Sequence, residues 1–133
     1  MEKLRYNNIL ARLVDAVPEF PADPDYVKDN LVYLVFNDLT RFVISLFEAE
    51  AKEDLLRRIF DFMEEAASGQ DQRITDVLWN SFNELAIKEP DKAKSYMGRY
   101  TRKIYQDVEE EIYGSPSVVR KIGRTIKCLW ERP

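Results

Sequence analysis

Apolar positions along this chain fall into blocks separated by short polar or proline-containing breaks. The densest block is LVYLVFNDLTRFVISLF at 31–47, where twelve of seventeen residues are apolar. They point in every direction around a 3.6-residue turn, which predicts a helix buried on all sides. A central helix near residues 27–48 is therefore expected, and within 31–47 Asn37, Asp38 and Arg41 are the only strongly polar side chains. A membrane span needs about 20 consecutive apolar residues and would carry Asp38 and Arg41 at mid-span at high cost. A strand at Leu31–Phe36 suits Val32, Tyr33, Val35 and Phe36. The chain offers it no second strand-like run and no Asn-Gly or Asp-Gly hairpin signal.

The remaining blocks read as one-sided helices. Leu4, Ile9, Leu10, Leu13, Val14 and Val17 predict an amphipathic helix over 2–17, ended by Pro18, Pro21 and Pro24. Phe20 in that proline loop is expected to plug into the core, and Asp23 or Asp25 to cap the following helix. A polar break, EAEAKED, occupies 48–54. Leu55, Leu56, Ile59, Phe60, Phe62 and Met63 predict the next helix, closed by Gly69 as a glycine stop. Asp71 reads as the N-cap of a helix carrying Ile74, Val77, Leu78, Phe82, Leu85 and Ala86, ended by Pro90. Trp79 extends its apolar face. Asp91–Met97 predicts a short helix, Arg99–Tyr113 a longer one, and Ser117 to about Trp130 a last one. The prediction is a single all-α domain over 1–133, about seven helices as antiparallel pairs around the buried central one.

Composition narrows the chemistry. Of 133 residues 33% are charged and 45% hydrophobic, a globular balance, and the net charge of −4 argues against a general nucleic-acid binder. One cysteine cannot form an internal disulfide, and the first ten residues lack the apolar run of a signal peptide, so a cytoplasmic chain is expected. With no histidine in the sequence, Ser-His-Asp and Cys-His catalysis and zinc sites built from Cys and His are excluded. The four glycines, Gly69, Gly98, Gly114 and Gly123, are too scattered for a phosphate loop. The expectation is a non-enzymatic chain without cofactor or metal, binding neither nucleic acid nor membrane.

Four clusters could carry function. Asp38 and Arg41 sit three apart on the central helix, either as a recognition or catalytic pair or as a partly buried ion pair fixing its packing. Asp107, Glu109, Glu110 and Glu111 hold four acids in five residues. They form a solvated face, a docking patch for a basic partner or, less readily because consecutive acids point apart on a helix, a metal site. Arg120, Lys121, Arg124 and Lys127 give the last helix a basic side that either balances the acidic run or meets an anionic surface. Tyr96, Arg99, Tyr100 and Arg102, with Tyr105, are residue types favoured at interfaces and equally at home at a core edge. Cys128, Trp79 and Trp130 read as core residues.

FNDLTRFVISLFE at 36–48, LLRRIFDFMEEAASGQDQRITDVLWNSFNELA at 55–86 and YMGRYTRKIY at 96–105 resemble a family of small, all-helical, largely uncharacterised bacterial proteins. That family includes immunity-like proteins encoded beside secreted toxins. The shared motifs are packing motifs, so the resemblance implies a fold and a class of partner but transfers no functional residue. It implies an immunity protein that neutralises a toxin, of nuclease type, by direct binding. The negative charge fits this, because a nuclease must present basic residues that carboxylates can occupy. Asp107, Glu109, Glu110, Glu111, Tyr96, Arg99, Tyr100 and Arg102 are the expected contact residues. A helical adaptor with another partner is the alternative, and a carboxylate-using enzyme a more distant one.

Overall fold

The computed structural model describes residues 3–50 and 52–114. They form seven α-helices and no strand: α1 (Ile9–Ala16), α2 (Pro24–Lys28), α3 (Val32–Ala49), α4 (Glu53–Ser68), α5 (Gln72–Lys88), α6 (Pro90–Tyr96) and α7 (Arg99–Tyr113). The all-α expectation holds. The predicted helix at 117–130 lies outside the described residues, so the seven helices are not the seven expected.

Two differences have local causes. The first helix begins at Ile9, not at residue 2, because Asn8 organises a turn ahead of it: its Oδ1 accepts from the Arg5 backbone N–H at 2.7 Å, and its side-chain amide donates to the Lys3 carbonyl at 3.1 Å. Side chains of this type offer the backbone an alternative to helical bonds. The expected helix over 27–48 is two helices. Asp23 caps α2, accepting from the Asp25 and Tyr26 N–H groups at 2.9 and 3.3 Å. The chain then turns at Asn30, whose φ of 53° is left-handed, before α3 starts. Asn is among the residues that enter this region most readily. Similarly, α4 stops at Ser68 as expected, but Gly69 is right-handed at φ −73°, and Gln70 supplies the left-handed residue at φ 55°.

The long helices share one core. Asn37 on α3 meets Asn80 on α5 at 2.9 Å, and Tyr33 lies near Asp76, so α3 and α5 run in the same direction. Phe82 packs edge-on against Tyr105 and Tyr113 reaches the Ala86 carbonyl, which places α7 alongside α5 in that direction too. α4 returns antiparallel: Leu56 near its start shares a depression with Phe47 at the end of α3, and Glu64 near its end meets the start of α7. The short α6 bridges the far end. Its Tyr96 stacks on Phe60 at 5.5 Å and sits 5.9 Å from Phe47, while Lys92 donates to the Phe47 carbonyl. That places a cation at the carboxyl end of α3, where the helix dipole favours it.

The N-terminal segment packs on α4 through Arg12–Glu65 at 3.8 Å and a hydrogen-bonded pair between Arg58 and Glu19. Phe20 is buried as expected and lies 5.5 Å from Phe42. Phe42 and Trp79 are only half-buried against the core, not within it. The central helix is also not covered all round. Leu31, Tyr33 and Leu34 are 40%, 43% and 43% exposed, so the apolar surplus at its head belongs to the surface.

Two measurements follow from this packing. Phe60→Ala removes a fully buried ring and should cost about 3–5 kcal/mol in urea unfolding, whereas half-buried Phe42→Ala should cost only about 1–2 kcal/mol; equal losses would contradict the burial pattern. Burial, then the Glu109 charge, pushes the Tyr105 phenol up from its ordinary value, and its hydroxyl donates to the Pro90 carbonyl at 3.2 Å. A phenol raised on folding contributes stability fully present below the unfolded value of about 10 and lost as pH rises through the folded one. Tyr105→Phe should therefore cost about 1 kcal/mol at neutral pH and show a shallower stability loss above about pH 10 than wild type. Parallel slopes in unfolding curves across that range would count against it.

Candidate functional site

The start of α7 is built by a residue of another helix. Gly98 occupies the N-cap position and has no side chain to offer the free N–H groups of the first turn. Glu64 of α4 fills the gap. Its carboxylate accepts from the Tyr100 N–H at 2.9 Å, from the Thr101 N–H at 2.7 Å and from the Thr101 hydroxyl at 2.9 Å. That hydroxyl accepts in turn from the Gly98 N–H at 3.0 Å. A Cβ on residue 98 would lie 2.7 Å from the Glu64 carboxyl carbon, so any other residue there would make the Glu64 carboxylate shift from its place in the cap. The MEEAAS and MGRYT segments are thus two halves of one joint.

The predicted contact residues of α7 divide around this helix. Asp107, Glu110 and Glu111 are exposed, whereas Glu109 turns toward α6 and pairs with Lys94 at 3.1 Å. The acidic run is therefore not one uniform face. Arg99, Tyr100 and Asp107 line a depression of about 410 Å³ between the starts of α5 and α7. Arg99 lies over the Tyr100 ring, 5.5 Å from its centroid. Arg102 points the other way, its guanidinium donating to the Lys94 carbonyl at 3.4 Å. Tyr96 belongs to the Phe47–Phe60 stack, and Tyr105 is wholly buried. Asp38 and Arg41 do pair, at 3.3 Å, but at 38% and 70% exposure the pair is a surface one, not the partly buried packing device expected. Pairs of this kind contribute little to stability. Arg120, Lys121, Arg124, Lys127, Cys128 and Trp130 lie outside the described residues.

The surface that sequence reasoning missed is the outer side of α3 and α5. Tyr33, Asn37 and Arg41 follow one another four residues apart on α3. Asp76, Asn80 and Glu84 do the same on α5. The parallel pairing sets the two rows side by side. Partial burial, then the charge of Asp76 and the nearby Tyr6, raises the Tyr33 phenol above its usual value. Arg73 lies 4.9 Å over the Tyr6 ring, which places Tyr6, Arg73, Tyr33 and Asp76 in one neighbourhood. Exposed Leu31 and Leu34 stand beside Tyr33 in the sequence at the head of α3. Toward the other end, Asn37, Arg41, Asn83, Glu84 and the 64% exposed Ile87 line a depression of about 390 Å³. The one signal available beforehand was the apolar excess of 31–36 itself, since a helix with three covered sides cannot bury a fourth.

Among the described residues no three His, Cys, Asp or Glu side chains gather where a metal ion could sit, and no helix is long and apolar enough to cross a membrane. No curated protein and no solved structure matches the chain. A family model does match, over residues 10–114, and that span contains both halves of the Glu64 joint and the whole α3–α5 surface. The chain belongs to the DUF7674 family, a domain of unknown function.

Proposed function

We propose that this protein is a non-enzymatic binding protein of the immunity type, which neutralises a basic toxin domain by occupying its surface. The observation that carries the reading is the exposed head of α3. Leu31, Tyr33 and Leu34 stand in solvent within four residues, beside the Tyr6–Arg73 stack. Scattered apolar side chains on a surface need no explanation, but a cluster with Tyr and Arg next to it has the composition of an interface centre. The polar row of Asn37, Asn80, Asp38 and Arg41 then serves as its rim. Exposed Asp107, Glu110 and Glu111 on α7 add negative potential that steers a basic partner toward the molecule. The toxin part of the reading comes from the resemblance of the 36–48, 55–86 and 96–105 segments to immunity-like proteins.

The test is to look for a toxin gene beside this one and to coexpress its toxin domain with the protein, followed by affinity measurement. A one-to-one complex is expected. Tyr33→Ala and Leu34→Ala should each weaken it by roughly tenfold or more, while leaving the melting temperature nearly unchanged because both side chains are exposed. Neutralising Asp107, Glu110 and Glu111 should instead slow association and flatten its salt dependence, since exposed charges are screened over about 10 Å at 0.1 M. The reading fails if no complex forms, or if it forms with an affinity indifferent to Tyr33 and Leu34.

A further inference from the structure

The charges of α7 are arranged against its own dipole. Arg99, Arg102 and Lys103 lie at its positive amino end and Asp107, Glu109, Glu110 and Glu111 toward its negative carboxyl end, with no acid in the first turn and no base in the last. Helices favour the opposite arrangement. Two of the three bases have neighbours that explain their position poorly. Arg102 donates to the Lys94 carbonyl, but among the described residues Arg99 and Lys103 pair with no carboxylate. Both instead line the depression between the starts of α5 and α7. Its other walls are Ala67, Gln70, Gln72, Thr75, Tyr100, Ile104 and Asp107.

We infer that this depression is a binding site for a phosphate-type oxyanion, held between Arg99 and Lys103. Arg99 and Lys103 are one helical turn apart, so their heads lie on the same side of α7. Stacking on Tyr100 limits the freedom of the Arg99 guanidinium, whose planar fork of donors suits a tetrahedral oxyanion, and Lys103 adds a point charge. Thr75 brings a hydroxyl from α5 and Gln70 an amide from the α4–α5 connection, where it holds a left-handed backbone. The floor of Ala67 and Ile104 is buried and apolar, which strengthens charge interactions above it. Asp107 on the rim opposes any anion, but two cations against one carboxylate still leave the depression positive, and a positive site attracts a dianion more strongly than a monoanion. None of its lining residues belongs to the Tyr33–Arg41 or Asp76–Glu84 rows, although Gln72 in its wall donates to Asp76 at 2.8 Å.

Phenyl phosphate is a suitable probe, because its second ionisation near pH 6 makes it a dianion at neutral pH. Titrated at about pH 7.5 into the isotopically labelled full chain, it should produce saturable amide shifts at Gln70–Thr75 and Arg99–Lys103. Sodium acetate at the same concentration should give none that saturate. Arg99→Gln and Lys103→Gln should each weaken binding by roughly tenfold, the expected loss of one charge-assisted contact. Asp107→Asn should strengthen it by about twofold or more by removing a like charge. This last variant leaves both cations in place and serves even if a cation variant folds poorly. Binding should also fall as pH drops through the second ionisation. The site is overturned if the shifts grow linearly without saturating, if acetate matches phenyl phosphate, or if Asp107→Asn leaves the affinity unchanged or lower.

Discussion

The carboxylate of Glu64 is the contact on which the arrangement of the helices most depends. It joins α4 to α7 across 36 residues of sequence and satisfies three donors at the start of α7. Hydrogen bonds to a charged acceptor are among the stronger ones in a folded chain, and a helix start left without a cap is correspondingly costly. The cap also substitutes for charge. α7 has no acid of its own in its first turn, and Glu64 supplies the carboxylate that meets the positive end of its dipole. Once α7 is pinned there, Thr101, Ile104, Tyr105 and Val108 fall on α5 and α4, and the bridge made by α6 is fixed at both ends.

That joint frees the rest of α7 from stabilising itself. Its bases and acids lie where an isolated helix would least favour them, yet the helix runs unbroken from Arg99 to Tyr113. Arg99, Lys103, Asp107, Glu110 and Glu111 are thereby presented on a rigid element at a cost borne by buried contacts elsewhere. The same division of labour holds on α3. Nine of its residues are buried, enough to anchor it, and the exposed head can carry Tyr33 and Leu34 without loss of the fold.

Most of the architecture was legible in the sequence because it is written in short-range signals. Asp71 and Pro90, with Gly98 and Tyr113, mark helix limits that the structure reproduces closely. What failed was of two kinds. The split at Asn30 rests on a left-handed backbone and the turn at Asn8 on side-chain-to-backbone bonds that compete with helix formation, and an apolar periodicity registers neither. The burial of α3 was overread because the density of apolar residues says how much surface a helix could bury, not how many neighbours will cover it. The site was less legible still. Glu64 reads as an ordinary acid on an amphipathic helix, and its role appears only when Gly98 is brought to it. Among residues 107–111, Glu109 is diverted to Lys94, a partner on another helix that no local pattern reveals. Asp38 and Arg41 were paired correctly and placed wrongly, since spacing fixes their contact but not their exposure.

The most direct measurement is amide hydrogen exchange at Tyr100 and Thr101 in wild type and in Glu64→Ala, alongside urea unfolding. If the carboxylate secures α7, both amides are protected in the wild type nearly as well as the core of α5. In the variant they should lose that protection ahead of the rest of the helix, with a global loss of about 2–3 kcal/mol. Unchanged exchange at both amides and a loss below about 0.5 kcal/mol would show that α7 is held by its apolar face alone.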